Sequence, residues 1–188
     1  MRKVVLIFGL LSGTLISGFM AVALVIWETT RHFYDNALVG YASMVIALSM
    51  VFFGIKSYRD NYQSGTIKFW KGVQVGALIT LVASLMYAVT WETYTHVRPA
   101  SFAEFVDKCF DSPLNKMKEK GASSAEIEQT AKRIDTMKRM YQNPVIRFGM
   151  TLMEILPVGI IITLISAAVL RKRELLPAGH IKLDVPTN

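Results

Sequence analysis

The chain is 188 residues long, 52% hydrophobic, and carries a formal net charge of +7. It is too apolar for a soluble domain, and its apolar residues are bunched into runs rather than spread as periodic stripes. The charge does not point to nucleic acid, because Arg2, Lys3, Lys56, Arg59, Lys68, Lys71, Arg171, Lys172 and Arg173 flank the apolar runs as the positive-inside bias requires.

Four runs are long enough to cross a hydrocarbon core of about 30 Å, which takes about 20 helical residues. The first, residues 4–27, has no charge, and its Gly9, Gly13 and Ser17 recur every fourth position as a ridge for close helix approach. Arg2, Lys3 and Ala21-Val22-Ala23 have the look of a signal peptide, but the run continues unbroken to Trp27, which favours a retained helix. A short polar loop leads to the second run, residues 37–55. Next comes a basic, glycine-punctuated stretch, residues 53–76, where Lys56, Arg59, Lys68 and Lys71 bracket Asn61, Ser64 and Gly65. This is the composition of a tight cytoplasmic hairpin, here at residues 54–72. The third run, residues 72–91, again carries a small-residue stripe, Gly72, Gly76, Thr80 and Ser84. The fourth, residues 148–170, contains Pro157, expected to kink it, and ends at Arg171-Lys172-Arg173. The tail at 172–188 has little to bury.

The sizeable polar segment, residues 93–147, separates the third and fourth runs. Ser101 with Glu104 and Ser123 with Glu126 match capping boxes, and Gly121 matches a helix stop. They predict helices over about 102–120 and 124–141, the first broken at Ser112-Pro113. Phe102, Phe105, Val106, Phe110, Leu114 and Met117 make one apolar stripe; Ile127, Ala131, Ile134, Met137 and Tyr141 make another. Asn143-Pro144 punctuates the return to the membrane. The stripes need cover from each other, the membrane surface or a partner.

The expected architecture is therefore an all-α membrane protein with four transmembrane helices. Residues 1–92 hold the first three, 93–147 form an extracytoplasmic two-helix insert, 148–171 are the fourth, and 172–188 are a cytoplasmic tail. Basic flanks place both termini and the hairpin inside. The motif G-I-K-x-Y-R-D-x4-G-x-I-x-F at residues 54–69, with four spans and a helical insert before the last, resembles the domain of unknown function 4199 family of small bacterial membrane proteins. That resemblance implies a bacterial inner membrane, and no activity, cofactor or catalytic residue.

A phosphate-binding glycine loop, a serine-nucleophile elbow and a His-Glu-x-x-His zinc motif are all missing from the sequence, and its one cysteine, Cys109, excludes an intramolecular disulfide and a cysteine zinc cluster. Two features could carry chemistry. Glu154 lies about six residues inside the fourth run, where an ionisable group is expected to face a bundle interior or a watery cavity. Arg147 is two helical turns from it, too far to pair directly, so Tyr87 or Thr90 are the better-placed partners. The second feature is a repeat: Trp27-Glu28-Thr29-Thr30-Arg31-His32 and Trp91-Glu92-Thr93-Tyr94-Thr95-His96 both read W-E-T-x-x-H at the outer end of a span. If the first and third spans are neighbours, Glu28, His32, Glu92 and His96 could hold zinc or another divalent transition metal. The competing reading is ordinary membrane-interface chemistry.

The functional expectation is a non-enzymatic accessory or assembly partner in the lipid bilayer, docking a membrane-protein partner through its insert, with no nucleic acid. The alternative is a small oligomeric transporter, or a metal- or proton-linked membrane protein using Glu154 and the Glu/His pairs, which four spans could form only as a homo-oligomer.

Overall fold

The computed structural model of the chain describes residues 1–30 and 37–171. Expectations for the first loop, His32 included, and for the tail fall outside them. The described residues form six helices: α1 (Arg2–Thr30), α2 (Ala37–Tyr62), α3 (Phe69–Val97), α4 (Pro99–Glu119), α5 (Ser124–Gln142) and α6 (Pro144–Arg171). α1, α2, α3 and α6 are long and apolar enough to cross a membrane, and all four extend past the apolar runs that mark them. Contacts group the described residues into two compact units, one within residues 1–87 and 154–171 and the other residues 88–153.

In the first unit the small-residue ridges do what their spacing predicts. Ser12 Oγ donates to the Ala47 carbonyl of α2 at 2.8 Å, and a Cβ added at Gly9 would come within 2.8 Å of Val82 on α3. The α3 stripe faces α6: a Cβ at Gly76 would lie 2.6 Å from the Thr163 methyl, and Gly159 of α6 leaves room for Thr80. The Thr80 and Thr163 hydroxyls stand 3.5 Å apart, and Ser84 Oγ donates back to the Thr80 carbonyl at 2.8 Å. Where apolar side chains gain nothing by leaving lipid, close approach and buried hydroxyl bonds hold helices together. Ala47, Leu48, Val51, Ile55, Val75, Ile79 and Ile155 fill the space between.

The basic stretch is mostly helix. α2 runs on to Tyr62, so the true turn is only residues 63–68, with Ser64 and Gly65 in the left-handed region (φ 49° and 78°). The Arg59 carbonyl closes it, accepting from Gln63 N and Gly65 N at 3.2 Å each. The Arg59 side chain is fully buried. Its Nε donates to Asp60 at 2.7 Å and Nη1 makes a long bond to the Leu170 carbonyl at 3.5 Å, while Nη2 has no hydrogen-bond partner among the described residues. Asp60 also takes Lys56 at 3.4 Å.

In the second unit α4 starts earlier than the Ser101–Glu104 spacing suggests. Pro99 occupies the first helical position, where its fixed φ suits the helix, and Phe102 N already bonds the Arg98 carbonyl at 2.9 Å. No side chain caps this end. Pro113 does not break α4, which continues to Glu119. The stop is a Schellman arrangement around Gly121 (φ 71°), with Ala122 N bonded to Met117 O and Gly121 N to Lys118 O. α5 then opens with the expected capping box: Ser123 Oγ accepts from Glu126 N, and the Glu126 carboxylate accepts from Ser123 N at 3.0 Å. The Ser123 hydroxyl donates to the same carboxylate at 2.8 Å, and this bond first, then the one from Ser123 N, holds the Glu126 carboxyl below its ordinary pKa. Asn143 caps α6, its Oδ1 accepting from Val145 N at 3.0 Å, and Pro144 leads that helix.

Candidate functional site

The densest polar constellation of the second unit is an arginine clamp. Arg147, one turn into α6, donates through Nε and Nη2 to the two oxygens of Glu92 on α3, at 2.8 and 2.7 Å. Nη2 also reaches Thr95 Oγ1 at 3.2 Å, and Nη1 donates to the Tyr141 carbonyl at 3.2 Å in the last turn of α5. The Phe102 ring lies over the guanidinium, 5.0 Å from centroid to carbon, adding a cation–π contact from α4. One side chain thus touches α3, α4 and α5 from α6. The pair is largely buried, with the Arg147 and Glu92 side chains 6% and 18% exposed. A planar fork on a carboxylate is the strong, directional form of such a bond.

Around the clamp runs an aromatic cluster. Trp91 meets Phe105 edge-on at 5.5 Å and stacks on Tyr94 at 5.7 Å; Tyr141 contacts Phe102 at 6.1 Å and Phe110 at 5.9 Å. The α4 and α5 stripes therefore cover each other in part, and Phe102, Phe105 and Phe110 are half-buried. Lys138 of α5 ties to Asp111 and Asp107 of α4 at 2.9 and 3.0 Å. Asp111 foremost, with Asp107, holds the Lys138 ammonium above its ordinary pKa against the cost of burial. A groove of about 260 Å³ opens beside this tie, with Phe102, Val106 and Tyr141 as its apolar lining and Asp107, Lys138 and Gln142 as its polar one.

Of the residues singled out for metal binding, Glu92 and His96 are seen in other contacts. The Glu92 carboxylate is committed to Arg147, while His96 turns its Nδ1 back to the Glu92 carbonyl at 2.7 Å, so the two side chains diverge. Glu28 is half-buried near the end of α1, and His32 lies outside the described residues. Among the described residues no three His, Cys, Asp or Glu side chains form a group fit for a metal ion. Glu154 is exposed on α6 rather than turned inward, because the buried face of that helix runs through Ile155, Gly159, Thr163 and Ser166. It makes no hydrogen bond or ion pair among the described residues. Arg147 escaped the sequence reading as a partner for Glu92. Their separation of 55 residues has no local signature, although Glu92 directly follows one apolar run and Arg147 directly precedes the next.

No curated protein and no solved structure matches the chain. The family described as a protein of unknown function, DUF4199, matches residues 7–172. The chain belongs to this family. That match takes in every element of the site on this DUF4199 chain, from Trp91 through Arg147, and the hairpin motif as well.

Proposed function

We propose that this DUF4199 protein is a non-enzymatic accessory or assembly partner in a bacterial inner membrane, docking another membrane protein through α4 and α5. In this reading both termini and the α2–α3 hairpin are cytoplasmic, as the basic residues beside the apolar helices favour, and α4 and α5 are an extracytoplasmic insert. The observation that carries the docking role is the pairing of a braced frame with an unfilled surface. The arginine clamp, two caps and Lys138 tie hold α4 and α5, yet the groove over Phe102 and Tyr141 stays open. Met137 and Met140 of α5 remain 49% and 43% exposed. Adaptable methionines next to an aromatic-floored groove suit a protein partner.

Two measurements test this reading. In a chain with Cys109→Ser, Gln63→Cys resists an impermeant thiol reagent in intact cells and Gln129→Cys is labelled; the reverse pattern overturns the orientation. A photocrosslinking residue at Met137 or Met140 gives one discrete protein adduct, the same at both positions, and Tyr141→Ala weakens it. Lipid adducts alone would sink the docking role.

A second reading, an oligomeric transporter using Glu154, draws on the exposure of that carboxyl on α6. A metal site at Glu28, His32, Glu92 and His96 would require Glu92 to release Arg147, so stoichiometric metal in purified protein is its test.

A further inference from the structure

Glu154 is exposed on α6, and so are its neighbours Met153 (73%) and Pro157. Pro157 has no backbone N–H, so the Met153 carbonyl lacks the donor that an α-helix would supply four residues on. A carboxyl group and a carbonyl denied its ordinary helical donor therefore belong to adjacent residues, both exposed, of one apolar helix. Glu154 is seven residues from Arg147 and seventeen from Arg171, about 10 Å and about 25 Å along the axis at 1.5 Å per residue. With those arginines near the two boundaries of a hydrocarbon core of about 30 Å, both groups lie inside it, where water cannot satisfy them.

We propose that this face of α6 is the interface between two copies of the chain, the neutral Glu154 carboxyl of each copy donating to the Met153 carbonyl of the other. The polar chemistry is self-complementary: every copy brings one donor and one acceptor, from adjacent residues of the same helix. A two-fold axis along the bilayer normal sets like residues opposite one another, so both bonds form together. Acyl chains can cover the apolar part of the face but leave the carbonyl without a donor. A different membrane protein would have to bring its own matching pair, which a second copy already carries. Glu154, Pro157, Ile161, Leu164 and Ala168 are all exposed and recur at alternating steps of three and four residues, the seam of a left-handed helix pair. The contact does not depend on the docking role of α4 and α5.

The test is disulfide trapping of the full chain in native membranes, in a Cys109→Ser background. Ile161→Cys and Ala168→Cys give disulfide dimers, whereas Ile46→Cys, on an α2 face 58% exposed, does not. In the Ile161→Cys chain, Glu154→Gln keeps the dimer, because an amide still donates, while Glu154→Leu lowers the trapped fraction about five-fold, as loss of interhelical hydrogen bonds should. The Gln variant separates loss of the bond from failure to fold. The proposal is overturned by no dimer at Ile161→Cys, by equal trapping at Ile46→Cys, or by trapping that Glu154→Leu leaves unchanged. Loss of the dimer in Glu154→Gln, or adducts of another mass in its place, would also overturn it.

Discussion

The two units are held by opposite means. In the first, α3 and α6 meet through Gly76, Gly159, Thr80 and Thr163, with small residues and hydroxyls at the contact. In the second, no residue of α4 or α5 is fully buried, and stability comes from caps, ring contacts and ion pairs. The difference follows composition. Long apolar helices that lipid can surround gain little from burying apolar surface, so backbones must come close; the polar, thin pair α4 and α5 lacks a deep core and leans on directional bonds.

The largest break should come at the clamp. Arg147→Ala leaves the Glu92 carboxylate enclosed without its partner and is expected to cost about 4 kcal/mol. Hydrogen exchange on detergent-purified protein should show this as lost protection in α4 and α5, with Ser12 and Ala47 in the first unit little changed. Uniform loss in both units would mean that the clamp supports the whole chain. The converse break is Gly76→Leu, which forces a side chain where even a Cβ sits 2.6 Å from Thr163, and should cost about 2–3 kcal/mol by overpacking. Its mark is a lower melting temperature with the α5 amides still protected.

The smallest effect sharpens the contrast at one cap. Ser123→Ala removes the acceptor for Glu126 N and should cost about 1 kcal/mol, confined to the first turn of α5. Glu126 adds a pH dependence of known sign. Its folded pKa is lowered, so its contribution is present above the ordinary glutamate range and is lost as pH falls through the depressed value. The protection factor at the α5 N-terminus, taken relative to the intrinsic exchange rate at each pH, should therefore fall in acid, and Glu126→Gln should flatten that response.

Much of the frame was legible because it rests on local rules. Apolar length marked the four long helices, Ser123 with Glu126 marked the start of α5, and the four-residue spacing of Gly72, Gly76 and Thr80 marked the face that meets α6. The start of α4 was misread because Ser101 and Glu104 match a capping box, while Pro99 had already set the backbone one turn earlier. The site was hidden for a different reason. Glu92 sits four residues from His96, and that spacing invites a metal, yet its real partner comes from a distant helix that no sequence window contains.

Arg59 bears on how the chain is assembled in time. Its guanidinium is buried where α2 ends, and apart from neighbouring Asp60 its partner is the Leu170 carbonyl, 111 residues later. A ribosome delivers α2 long before α6, so through most of synthesis this cation lacks its second acceptor. The early helices thus form an intermediate with an unmet demand, and such an intermediate is expected to be a target for quality-control proteolysis. A chain ending before Pro144 should turn over faster than the full one, and Arg59→Leu should slow that turnover; equal half-lives in a pulse-chase would rule this out.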